Sequence, residues 1–361
     1  MLGLAIIVAM GGTVASLTVT LSDLLKKNLG SDYLFIPPSI GLWTSDLGSN
    51  ADFANRLRAV DGVSNVSTLR FASTMVNGQS VSLMGIEPQA FQTVSGLRFQ
   101  ENMFSNDAGA YQALADGRAL IANWAFMALV RAKQGDTVEL VTPNGAQPYR
   151  IVGVATDLLN AKITTAFISQ ANMQADFGRT EDVFIQLNLK HGADANAADK
   201  AIRAVAADFP QFTITAGKAY YNTMMMQVNA AFAALYFLLA MLALPSLIAM
   251  LNTLAIGVIE RTREIGMIRA VGSTRKQVRR MVLAEALILA GIGTAFGLLA
   301  GLYLCYVFVI AFRSIFPMGY AFPTAGIIAA IVIGLFFGAL AAIIPARQAA
   351  KLEIVQALRY E

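Results

Sequence analysis

The chain has 361 residues, of which 56% are hydrophobic and only 14% charged, and its mean hydropathy is +0.56. Soluble domains carry about 25% charged residues, so this composition excludes a disordered chain and argues against a wholly water-soluble enzyme. The net charge of +4 fits nucleic acid, a membrane surface or neither until the charges are placed, and one cysteine excludes internal disulfides and multi-cysteine metal sites.

The first apolar run, Met1 to Leu21, predicts a membrane helix over residues 1–22. It has no basic leader and no clear cleavage signal, as a signal peptide would. No charge precedes it, so the chain is expected to begin late, through a misplaced start codon or as part of a longer protein. Residues 23–227 carry sixteen basic and eighteen acidic residues, a net of −2. Three further charge-free windows lie between Lys218 and Glu260, Glu285 and Arg313, and Arg313 and Arg347. Each exceeds the roughly 20 residues that cross a hydrocarbon core as a helix. They predict membrane helices over 228–259, 281–310 and 325–346, joined by a loop at 260–280 and an outer loop at 311–324. A tail at 347–361 ends the chain.

The 260–280 loop holds seven basic and two acidic residues, a net of +5, and the tail adds +1. Excess Lys and Arg in short loops marks the cytoplasmic side. The fold class expected is therefore an α-helical membrane protein of four spans, with a large extracytoplasmic α+β domain inserted between the first and second. The surplus charge reports orientation, which leaves nucleic acid without support as a partner.

Within residues 23–227, Asn77-Gly78 between two β-rich runs predicts a hairpin, and Pro143-Asn144-Gly145 predicts a second. Asp182–Leu189 reads as a strand, and Ala51–Val60 and Ala195–Phe209 have helical spacing, with Ile202, Val205 and Phe209 as candidate core residues. His191 reads as a surface-loop residue, and the adjacent Glu181 and Asp182 as solvated. No catalytic triad, carboxylate dyad or metal motif emerges. A binding or force-transmitting role remains.

Small residues recur every fourth position in the last two spans, including Gly293, Gly297, Gly301, Gly334 and Gly338. Such stripes let helix backbones approach closely, here expected within the chain or across a dimer. Pro245 should kink or loosen the second span. Glu285 and Asn252 read as headgroup-level residues, with no partners for a proton relay, and Cys305 as an inert apolar residue.

The loop Glu260-Arg-Thr-Arg-Glu-Ile-Gly-Met-Ile-Arg-Ala-Val-Gly-Ser is the most informative stretch. Its spacing predicts a short helix over roughly 263–271, with Ile265, Ile268 and Val271 along one apolar edge and Gly272 ending it. Thr274 and Gln277 form a candidate capping box for the next helix.

In its order this loop resembles the signature of the FtsX/MacB-type permeases of ABC transporters. The tail from Ile344 through Arg359 resembles the same family's C-terminal pattern. Asp116-Gly-Arg, Gly135-Asp-Thr-Val and Ile151-Val-Gly-Val-Ala resemble landmarks of MacB-like periplasmic core domains.

The resemblance implies a permease subunit that couples ATP hydrolysis on a partner to movement outside the membrane, for export or extraction of a lipoprotein, peptide or amphiphile. The alternative it implies is an FtsX-like regulator of a cell-wall hydrolase. Glu260, Arg261, Arg263, Glu264 and Arg269 would make polar contacts with a cytoplasmic ATP-binding subunit, and Ile265 and Ile268 would anchor them. Gly266 and Gly272 would allow close approach and helix termination. ATP and Mg would sit on that partner, since this chain has no phosphate loop and is not expected to be an enzyme. Further partners implied are a second permease subunit, an extracytoplasmic adaptor or substrate-binding protein, and membrane lipid. The implied location is the inner membrane of a bacterium.

Overall fold

The computed structural model describes residues 2–28, 30–37, 48–156, 164–313 and 318–351. The chain forms two compact units, one holding residues 20–227 and the other 1–19 with the helices after 228.

In the first unit the elements run β1 (Tyr33–Ile36), α2 (Ala51–Arg58), β2 (Val63–Val76), β3 (Gln79–Ile86) and α3 (Pro88–Val94). They continue with β4 (Arg98–Asn102), α4 (Asp107–Asp116), β5 (Ala119–Ala122), α5 (Trp124–Val130), β6 (Thr137–Thr142) and β7 (Gly145–Thr156). β8 (Thr165–Ser169), α6 (Gln170–Phe177), β9 (Phe184–Leu189), α7 (Ala195–Ala206) and β10 (Thr213–Ala216) complete it. The helix before them, α1, spans Leu2–Asn28, and its last residues belong to this unit.

The described strands make one mixed sheet in the order β10-β1-β9-β2-β3-β8-β5-β7-β4, with β6 paired to β7. Both predicted hairpins are present. Asn77 and Gly78 both take positive φ, the conformation a two-residue turn of this hand requires. The second turn is tighter than the sequence suggests: Thr142 pairs directly with Gly145, so Gly145 already belongs to the strand. Parallel pairs β3·β8 and β5·β7 sit among the antiparallel ones. Such pairs need crossovers of a dozen or more residues, which no local pattern announces.

The helices that cover this sheet begin at matching caps. The side chains of Asn50, Asn106, Asn123, Ser169 and Asp194 each accept a hydrogen bond from an amide in the first turn of α2, α4, α5, α6 and α7. Large side chains fill the interior. Phe53 is buried edge-on to Phe35 (5.3 Å between centroids) and stacked on Phe209 (4.1 Å). Ile202 is buried in the same cluster and Val205 partly so.

Two polar clusters lie within the sheet domain. Asp176 accepts from Arg118 Nε and Nη2 at 2.8 Å and from Tyr149 Oη at 2.6 Å. The hydrogen bonds from Arg118 hold its carboxyl below the usual carboxylate range, while burial pushes the Tyr149 phenol up. The sequence reading of Asp182 as solvated is wrong: it is 2% exposed and paired with Arg70 Nε at 2.9 Å. Its backbone bridges Ser49, and burial raises its pKa against the opposing pull of Arg70. His191 is exposed.

The second unit consists of α1 through Val19, α8 (Gly217–Glu260) from Val228 onward, α9 (Thr262–Ala270), α10 (Arg275–Arg313) and α11 (Thr324–Lys351). α8 begins eleven residues before the predicted span and stays one helix through Pro245. Its opening residues Tyr220, Tyr221, Met224 and Met225 belong to the sheet domain and pack on that domain's core. Among the described residues, four helices are long and apolar enough to cross a membrane: Gly3–Asn28, Gly217–Leu239, Arg275–Arg313 and Gly326–Ala350.

The small-residue stripes are used inside the chain. A side chain at Gly301 would meet Val8 Cβ at 2.6 Å and the Ala5 carbonyl at 2.8 Å. One at Gly334 would collide with Thr294 Oγ1, and one at Gly12 with Cys305 Sγ. Gly293, Gly297 and Gly338 are buried as well. Helix α10 thus presents one buried row, from Val278 and Val282 through Ala286, Ala290, Gly297 and Gly301 to Cys305 and Val309.

Candidate functional site

The sequence reading concentrates its site residues between α8 and α10, and the structure places them around one short helix. Helix α8 ends at Glu260, α9 starts at Thr262, and Arg261 alone joins them. The joint keeps helical bonding: the Arg261 amide donates to Gly257 O at 3.3 Å, and the Arg261 carbonyl accepts from Ile265 N at 3.0 Å. Its ψ of +16° breaks the helical register, and no side chain caps the N-terminus of α9.

At the other end, Gly272 takes a φ of +111°, a conformation costly for any residue with a Cβ. The Gly272 amide donates to Arg269 O at 3.1 Å and the Ser273 amide to Ile268 O at 3.2 Å, which closes the helix as the sequence predicts. The capping box is also formed. The Thr274 amide donates to Gln277 Oε1 at 2.7 Å, and the Gln277 amide returns a longer bond to Thr274 Oγ1 at 3.4 Å.

The predicted apolar edge splits. Ile265 is 3% exposed, buried with Val258 of α8, Val278 and Val282 of α10, and Ala346 and Ala349 of α11. It anchors the loop to its own helices, so the sequence expectation that it anchors an outside partner is corrected. Gly266 is buried beside it, which permits that close seat. Ile268 and Val271 are exposed, Val271 to 90%, and Met267 joins them. A single 3.6-residue period cannot separate these two sides, because both are apolar. Glu260, Arg263 and Glu264 are exposed, and Arg269 is half-buried.

Charge pairing across the loop was not foreseen. Arg261 donates from Nε to Glu264 Oε2 at 2.9 Å, and from Nη1 to Glu285 Oε1 at 3.0 Å and Oε2 at 3.2 Å. The Glu264 carboxylate, with help from Glu285, raises the Arg261 guanidinium above its already high ordinary value. Glu285 was read as a headgroup-level residue without a role; its partner lies 24 residues away, beyond any periodic signal. The three side chains help line a cavity of about 180 Å³, together with Gly257, Val258, Ile265, Ile268, Met281 and Leu289 among others.

The landmark segments of the sheet domain prove structural. Arg118 holds Asp176, while the Gly135 amide donates to Ile151 O and the Ile151 amide to Asp136 O, both at 2.9 Å. Among the described residues, no cluster of three or more His, Cys, Asp or Glu could hold a metal.

Two family models match this chain: the MacB-like periplasmic core domain over residues 1–205 and the FtsX-like permease C-terminal over 236–354. Among curated relatives, the macrolide export ATP-binding/permease protein MacB of Bartonella quintana is 27% identical, covering 99% of this chain and 55% of its own. MacB of Bordetella avium is 28% identical, over 83% and 46% respectively. The ABC transporter permease YknZ of Bacillus subtilis is 27% identical, over 79% and 70%. The chain thus spans about half the length of the MacB relatives it matches. Among solved structures, the YknZ extracellular domain aligns with a TM-score of 0.37 at 16% identity, covering 51% of this chain and 98% of that domain. The periplasmic region of MacB from Actinobacillus actinomycetemcomitans aligns at 0.39 and 17%, covering 56% and 97%. This chain is a multi-pass membrane protein of the FtsX/MacB-type permease family.

Proposed function

We propose that this chain is the permease subunit of an ABC transporter with two permease and two ATP-binding subunits. In this reading α9 is the coupling helix, and α1, α8, α10 and α11 are its four spans. One observation carries it: the exposed apolar edge of Met267, Ile268 and Val271, flanked by Arg263 and Glu264, on a helix hung between two apolar helices. Such an edge, rimmed by charge, is the pattern of a protein-docking surface. The net +5 of the loop supports a cytoplasmic position for it and an outer position for residues 23–227.

ATP and Mg would bind the partner. Closure of the ATP-binding subunits would move α9, and α9 would move α8, which runs as one helix from Gly217 to Glu260. The scarcity of polar groups in the spans favours transmitted force over a hydrophilic channel. The substrate class that fits is an amphiphile, a peptide or a lipoprotein, exported or extracted from the outer leaflet, with an extracytoplasmic adaptor and surrounding lipid as further partners.

The test is to co-express the chain with its ATP-binding subunit and purify the complex in detergent. Val271→Asp should abolish co-purification while the chain still accumulates. Glu264→Ala with Arg269→Ala should uncouple ATP hydrolysis from transport in vesicles. Unchanged assembly and coupling in these variants would sink the assignment of α9.

A further inference from the structure

We infer that Glu285 is a positioning residue for α9, acting through Arg261 as an ionic strut between the coupling helix and α10. Four observations meet here. First, Arg261 is the single residue joining α8 to α9, so whatever fixes Arg261 fixes the angle between them. Second, both carboxylate oxygens of Glu285 accept from one nitrogen of Arg261, and the remaining contact goes to Glu264 on α9 itself. One guanidinium therefore ties the start of α9 to its own first turn and to a helix 24 residues on.

Third, the only apolar fastening described for α9 is Ile265, whose buried neighbours lie on α8, α10 and α11. Thr262 Oγ1 also donates to Val258 O at 3.1 Å, which ties the start of α9 to α8, and the Arg261–Glu285 pair adds a polar tie to α10. Fourth, Arg261, Glu264 and Glu285 line a cavity of about 180 Å³ together with Ile268 of α9 and Met281 and Leu289 of α10. Close packing alone therefore does not hold that side of α9, and space exists for it to tilt inward when the strut opens. A guanidinium suits the task because its planar fork engages two carboxylates at once, which a lysine ammonium does less well. The geometry stands by itself; the functional consequence rests on α9 being the coupling helix.

The experiment uses the full chain in detergent, alone and with its ATP-binding subunit. In the chain alone, amide hydrogen exchange across residues 263–271 should run about fivefold faster in Glu285→Gln than in the wild type, the effect of losing one ion pair. Sodium chloride at about 1 M should raise the wild-type exchange more than the variant's, because salt screens exposed pairs and the variant keeps only the Arg261–Glu264 one. Arg261→Lys should fall between the two, and it supplies the same reading if Glu285→Gln does not accumulate. In the complex, with ATP as the probe, Glu285→Gln should lower kcat about fivefold and leave the KM for ATP unchanged. Equal exchange in variant and wild type, or equal salt sensitivity of the two, overturns the strut. Faster exchange with unchanged kcat in an assembled complex overturns its role in coupling. A wild-type chain that binds no ATP-binding subunit counts against the permease reading alone, since the exchange measurement still decides the strut.

Discussion

The sheet domain and the helical unit are packed in opposite senses. In the sheet domain Phe35, Phe53, Phe126, Phe167, Phe184 and Tyr149 are wholly buried, and the exposed positions are largely polar. In the helical unit the described buried positions are mostly Ala, Gly and Val, while Phe237, Phe296, Leu299, Tyr303, Ile328 and Phe336 lie at the surface. Water drives large apolar groups inward. Lipid tails are as apolar as a leucine side chain, so there they gain nothing by burial, and close backbone approach between small residues holds the helices instead. The same chain thus carries two rules of packing, and each reports the solvent its region was built for.

Substitution series can break this contrast or sharpen it. The largest effect is expected from Phe53→Ala, which empties a ring site in the sheet core and should cost about 3–5 kcal/mol, read as a lowered midpoint of urea unfolding in the full chain. In the helical unit the reverse change should matter. Gly334→Val forces a side chain into Thr294 and should cost about 1–3 kcal/mol, read as lower thermal stability in detergent.

Asp176→Asn tests polar burial in the sheet domain. Its carboxyl is held below the ordinary value by Arg118 and Tyr149, so its contribution is present above about pH 3.9, the unfolded value, and is lost as pH falls through the folded value. Amide exchange in α6 and β7 should be roughly tenfold faster in the variant at pH 7. That gap between variant and wild type should close in acid, and a gap that persists there would refute the pairing. The smallest effect is expected from Phe336→Ala, a large residue at the helical unit's surface. Its stability change in detergent should stay within about 0.5 kcal/mol. A change as large as that of Phe53→Ala would mean that this surface is covered by protein.

Local signals account for what could be read in the sequence. Asn77-Gly78, the Thr274–Gln277 box and Gly272 each act within a few residues, and each is found where expected. The charge-free runs are equally local and mark the apolar helices. What escaped notice joins distant residues. Asp182 looks solvated until Arg70, 112 positions earlier, folds against it. The apolar period in α9 shows that Ile265 and Ile268 share a helix edge, but only the positions of α8, α10 and α11 decide which is buried. Arg261 reads as a contact for an outside partner and Glu285 as a boundary charge, and their pairing depends on how α9 folds back toward α10.

Helix α10 has one further consequence, in height. Its 39 residues span about 58 Å at 1.5 Å per residue, nearly twice a hydrocarbon core of about 30 Å. Its charged residues up to Glu285 all lie in the first eleven positions, a length of about 16 Å. That stretch forms a charged stalk at the start of α10, and α9 is joined at its foot. In the proposed coupling role, a partner that grips Val271 would meet it at the end of a helix beside that stalk, at a height set by a rigid rod.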